Sequence, residues 1–228
     1  MFNIFVENNS SETTMIAVIT GDIIASRKLV NQDKWLTPLK KLFNTWGGSP
    51  KAWKLERGDF FQVEITNSEE ALKKALEIKA LIKKVAPLDE RKKISNIDVR
   101  LAIGIGEKTY SGESVSESNG SAFINSGEKF DGLKKENTTL GIKSPWKNFD
   151  EEMNLYLKLA VTFMDSWSVS SAELVEIVLK EPTITQNDIG KQLGIKQSAV
   201  SRRWNRAHVN EIIALEKMYQ NKIISVQQ

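Results

Sequence analysis

Between residues 15 and 106, short apolar runs and helically spaced apolar residues follow one another in a fixed order, and that order leaves few folds open. The run MIAVITGD, 15–22, has the length and the Gly-Asp ending of a buried strand. Trp35, Leu36, Leu39, Leu42, Phe43 and Trp46 then fall at helical spacing, which predicts a helix over 33–46 that Gly47-Gly48-Ser49-Pro50 stops. Residues 52–55 and 60–65 are strand-like and meet at Arg57-Gly58-Asp59, a hairpin signal. Ser68-Glu69-Glu70 opens an amphipathic helix that runs to Val85 and ends before Pro87. The run DVRLAIGIG, 98–106, is the next strand. A β-α-β-β-α-β order of this kind folds into an antiparallel sheet with two helices on one face, the ferredoxin-like arrangement.

Residues 111–119 are rich in Gly, Ser, Asn and Glu and read as a loop; a helix over 121–134 and a strand over 138–142 complete the unit, with Pro145 at its boundary. Residues 150–167 are amphipathic through Met153, Tyr156, Leu157, Ala160, Phe163 and Met164 and form a connecting helix. The expected organisation is a weakly ordered leader, 1–14, a sheet-containing domain, 15–145, a connecting segment, 146–170, and an all-α domain, 171–228. The fold class is therefore α/β, more narrowly α+β.

The all-α part carries the clearest functional pattern. In QNDIGKQLGIKQSAVSRRWN, 186–205, Ile189 and Leu193 give a first helix its apolar face, and Ile195, Val200 and Trp204 seat a second. Gly190 is small where the second helix must approach. Gly194 sits at the turn, where a left-handed backbone is cheap only for glycine. A preceding helix over 171–180 adds Leu174, Ile177, Val178 and Leu179 to the same small core. The pattern predicts a helix-turn-helix. The net charge of +3 is too small to point to nucleic acid, but its placement does. Residues 183–209 hold Lys191, Lys196, Arg202, Arg203 and Arg206 against Asp188 alone, the footprint that a phosphate backbone selects. A second helix in the major groove presents its N-terminal residues to base edges, so Lys196, Gln197, Ser198, Ser201 and Arg202 are base-reading candidates. Thr185, Gln186, Arg203 and Arg206 are placed for phosphates, which position without specifying. The competing reading is a helical hairpin used for packing or dimerisation.

Other chemistries are narrowed by what is missing. The chain has no cysteine and a single histidine, His208, which leaves no thiolate site, no His-rich metal site and little room for Ser-His or Cys-His catalysis. His208 suits a helix end. No run reaches the roughly 18 apolar residues a membrane helix needs, and residues 1–14 lack the basic start of a secretory signal, so the expected location is the cytoplasm, away from membranes.

The segment LGIKQSAVSR, 193–202, resembles the helix-turn-helix of phage and bacterial repressors. In the sheet domain, TGDIIASR (20–27), ERGDFFQV (56–63), VRLAIGIG (99–106) and GSAFINSGEKF (120–130) resemble, in order, four motifs of the palm shared by class III nucleotidyl cyclases and GGDEF diguanylate cyclases. That resemblance implies Asp22 and Asp59 as metal ligands for Mg²⁺ or Mn²⁺ with a nucleotide. It implies Ile23, Ile24, Arg27 and Lys54 around the nucleotide, and Asn125 and Lys129 as catalytic groups if the domain is a cyclase. Lys129 replaces the family's transition-state arginine and lacks its bidentate fork. Together with the helix-turn-helix, MIAVITGDIIASR (15–27) and LERGDFFQ (55–62) are similar to the bacterial SatD family, a resemblance that implies the two-part architecture and no defined activity. The expected function is a homodimeric regulator that binds double-stranded DNA and whose palm senses a nucleotide or metal. A cyclase-like enzyme acting on ATP or GTP and a non-catalytic scaffold are the alternatives.

Overall fold

The computed structural model describes residues 15–29, 31–56, 58–86 and 97–228. The expected leader, 1–14, the hairpin residue Arg57 and the helix stop at Pro87 lie outside them. The described chain is mixed α/β, with a five-stranded mixed sheet and eight α-helices.

Strand β1 (Met15–Ile24) is the middle of the sheet because nearly every side chain on it is apolar and buried. It is followed by α1 (Asp33–Asn44), β2 (Trp53–Glu56), β3 (Phe60–Ile65), α2 (Ala71–Lys83), β4 (Asp98–Glu107), α3 (Ser121–Leu133) and β5 (Leu140–Lys143). The strand order is β2-β3-β1-β4-β5. Pairing is antiparallel except between β4 and β5, which are parallel because α3 carries the chain back between them. Strand β1 continues two residues past Asp22, pairing Ile24 with Asp98, so Asp22 lies within a strand rather than at its end.

Alternation splits the two faces. Ala17, Ile19 and Ile23 enter the large core shared with α1 and α2, while Ile16 and Val18 pack with Val115, Ala122 and Phe123 under α3. Helix α3 comes close enough for a Cβ on Gly104 to lie 2.2 Å from the Ala122 carbonyl oxygen, which is why β4 carries glycine there. The sheet thus has helices on both faces, where the pattern up to residue 106 accounted for one.

Five helices complete the chain: α4 (Lys147–Met164), α5 (Val169–Lys180), α6 (Gln186–Leu193), α7 (Gln197–Ala207) and α8 (Val209–Gln227). The last was not anticipated. It turns back toward the sheet, where Tyr219 donates to the Ser68 carbonyl at 2.6 Å and Gln227 to the Ser68 hydroxyl at 2.8 Å. One cluster of buried side chains consequently runs from Ala17 on β1 to Ile223 on α8. A buried ionic group sits at the seam: Lys79 of α2 meets Asp98 at 2.9 Å and Asp165 at 2.6 Å, and Lys83 meets Asp98 at 3.2 Å. Burying ammonium groups is tolerable only with such partners.

Candidate functional site

Helices α6 and α7 form from local signals that agree. The Thr185 hydroxyl accepts from the Asp188 amide at 3.2 Å and donates to the Asp188 carboxylate at 2.6 Å, starting α6. Lys191 bonds the same carboxylate at 2.8 Å, and these two hydrogen bonds, Lys191 foremost, lower the Asp188 pKa. Gly194 ends α6 at φ 65°. Gly190 lets the turn pass close by, since a Cβ there would lie 2.8 Å from the Ile195 carbonyl oxygen. Lys196 stands at the N-cap position of α7, whose inner face buries Val200 in the core that also holds Ile189. His208 adopts the left-handed conformation between α7 and α8 and stacks on Phe163, so it closes a helix as expected.

The base-reading candidates come together on one surface. Lys196, Gln197, Ser198 and Arg202 are exposed at the N-terminal half of α7, with Ser201 partly so. The phosphate candidates divide. Arg206 is exposed, but Arg203 is held by Glu173 of α5 at 3.5 Å with a quarter of its side chain accessible. Thr185 is spent on the cap. Gln186 is not turned to solvent alone: its Oε1 accepts from Gln197 Nε2 at 2.8 Å, so the first residue of α6 holds the first residue of α7.

The palm-like residues are arranged differently from what their resemblance implies. Asp22 and Asp59 are neighbours across β1 and β3, for Ile23 donates its backbone N–H to the Asp59 carbonyl at 3.2 Å. That bond occupies the amide expected to face phosphate, and the Ile23 side chain is buried in the core. Both oxygens of Asp22 are engaged by Arg100 of β4, through Nε at 2.8 Å and through Nη2. Asp59 accepts from the Ser26 hydroxyl at 2.5 Å. Lys54 bonds Ser116 at 3.0 Å and Arg27 is exposed. Ile24 is partly buried and its backbone pairs with Asp98. Asn125 donates to the Ile105 carbonyl at 2.8 Å and Lys129 pairs with Glu136 at 2.7 Å, so both are tied to their own surroundings. A divalent cation at Asp22 would have to displace a guanidinium, and among the described residues no group of three acidic or histidine side chains could hold a metal. These residues do not fit a metal–nucleotide complex. Arg100 was the overlooked partner: the one cation of β4, at the position that pairs with Asp22.

Among the described residues, no helix is long and apolar enough to cross a membrane. No protein-family model, curated protein or solved structure matches the chain.

Proposed function

We propose that the chain is a duplex-DNA-binding regulator of transcription in which α6 and α7 act as a helix-turn-helix and α7 enters the major groove. The strand order, with its antiparallel core of β2-β3-β1-β4, supports reading the sheet unit as a ferredoxin-like palm that carries the helix-turn-helix. The observation that carries the proposal is the Gln186–Gln197 hydrogen bond on an exposed surface that also holds Lys196, Ser198, Arg202 and Arg206. One N–H of the Gln197 amide is already satisfied, which fixes its plane and leaves its oxygen and second N–H for the N6 and N7 edge of an adenine. A packing hairpin would gain nothing from an ordered amide aimed at solvent.

One such unit reads a half-site, so the working form is a homodimer. Leu155 and Leu159, 57% and 59% exposed and one turn apart on α4, are apolar enough to supply the contact between copies. Enzymatic turnover of a nucleotide has no comparable observation behind it, because Asp22 is committed to Arg100.

Fluorescence anisotropy with labelled duplexes at two salt concentrations tests the reading. Binding should weaken with salt, and Arg202→Ala/Arg206→Ala should reduce the slope of log affinity against log salt by about 2. Equal affinity of wild type and double variant for a pool of random duplexes would sink it.

A further inference from the structure

We propose that the groove between α1, α2 and α5 binds a small organic anion with a flat apolar body, of the aromatic carboxylate or sulfonate class. The groove encloses about 580 Å³, within the range of about 300–1,000 Å³ typical of small-molecule sites. Its apolar lining is Pro38, Leu42, Trp46 and Leu81.

Five lysines and three glutamates line the walls. Most of these charges are matched within the protein. Lys74 pairs with Glu70 at 3.1 Å and lies 4.7 Å above the Trp46 ring. Lys84 and Lys180 both engage Glu176. Lys41 and Lys73 are left without a carboxylate within 4 Å among the described residues. Two unmatched ammonium groups in a groove with these apolar side chains favour a ligand that brings a negative charge and an apolar surface together. The ligand's charge is also bounded. Glu77 stands among Lys73, Lys74 and Lys180, and burial raises its pKa. A triphosphate would exceed the lining's surplus of two cations and meet three carboxylates, whereas a single negative charge on a hydrophobic body stays within that surplus.

The site bridges the helices that pack on the sheet and α5, which holds α7 through the Glu173–Arg203 pair. Its consequence for DNA affinity rests on the helix-turn-helix reading; the site itself does not.

The probe is 8-anilinonaphthalene-1-sulfonate, titrated into the full-length chain and followed by its fluorescence. We expect saturable binding at one site per chain, weakened about tenfold or more by Lys41→Glu/Lys73→Glu and less by Lys41→Gln/Lys73→Gln. Arg202→Ala/Arg206→Ala should bind as wild type does. Since the readout involves no DNA, failure of the DNA-binding reading leaves this result intact. Non-saturating fluorescence, unchanged affinity in the neutral lysine variant, or equal loss in the arginine variant would overturn the proposal.

Discussion

The side-chain amide of Asn154 on α4 behaves as a strand partner for Ile142 on β5: its Oδ1 accepts from the Ile142 N–H at 2.9 Å and its Nδ2 donates to the Ile142 carbonyl at 2.8 Å. Asn154 thereby satisfies the Ile142 groups on the outer edge of the sheet, a place where unpaired backbone groups invite other chains. Replacing it as Asn154→Leu keeps the branched outline of the side chain and removes both bonds. The variant should be less stable by about 1–3 kcal/mol in urea unfolding, and should self-associate with rising concentration in light scattering. An unchanged midpoint and a monodisperse variant would show that water satisfies Ile142 equally well.

On the proposed helix-turn-helix reading, the Gln186–Gln197 amide pair separates bracing from base reading. Gln197→Ala should cost about 1–3 kcal/mol on the preferred duplex and relax the choice at one A·T pair. Gln186→Ala removes only the brace, so it should shift affinity in the same direction by less and leave the preferred base unaltered. Selection from a randomised duplex pool, followed by anisotropy on the winners, reads both. A changed base preference in Gln186→Ala would place that residue on the DNA.

Two glycines should respond with opposite signs to alanine. At Gly190 the new Cβ would sit 2.8 Å from a backbone oxygen, so Gly190→Ala should lose about 1–3 kcal/mol and loosen the angle between α6 and α7. Gly127, inside α3, has nothing within 4 Å of a Cβ, and Gly127→Ala should gain about 0.5–1 kcal/mol from helix propensity. Thermal melting of the two variants side by side decides the matter.

Lys79 is fully buried between Asp98 and Asp165. Lys79→Met leaves those carboxylates facing an apolar chain and should cost about 3–5 kcal/mol, measured by denaturant unfolding. Asp165→Asn in the same background should recover part of the loss, because Asp165 has lost its ammonium partner while Asp98 keeps Lys83. No recovery would mean that packing, not charge, dominates the seam.

Alkaline pH should unfold the protein through Tyr219. Its phenol is completely buried, and that burial, with Glu69 and Glu216 nearby, raises its pKa far above the ordinary tyrosine value. The folded state binds this proton more tightly than the unfolded one. The stabilisation is therefore whole below pH 10 and declines above it, by about 1.4 kcal/mol for each unit of pH. Tyr219→Phe gives up the bond to Ser68 at neutral pH but should flatten the alkaline decline, as a comparison of unfolding midpoints at pH 9 and pH 11 would reveal. Parallel declines in the two proteins would assign the effect to other groups.

Much of this structure is legible in local pattern. The strands around Val18, Val63 and Ile103 and the turn at Gly194 follow from apolar runs and a left-handed position, which depend on a few neighbours in the chain. What escaped depends on partners distant in sequence. Arg100 finds Asp22 across 78 residues, and Asn154 meets Ile142 only because α4 lies along β5. Gln186 and Gln197 were both singled out as DNA-contacting residues, yet that they touch each other follows from the inter-helix angle, which no periodicity encodes. The motif likeness around Asp22 found the sheet position but not the guanidinium that occupies it.

The return of α8 to Ser68 has a consequence for genetics. Because Tyr219 and Ile223 belong to the same buried cluster as Ala17, α6 and α7 share their folding equilibrium with the sheet. A fragment cut to residues 171–228 would expose those side chains and should not bind as a free module. Loss-of-binding alleles should therefore scatter through β1, α2 and β4 as well as α7, and those remote alleles should be rescued by lowering the temperature, whereas changes at Gln197 or Arg202 should not.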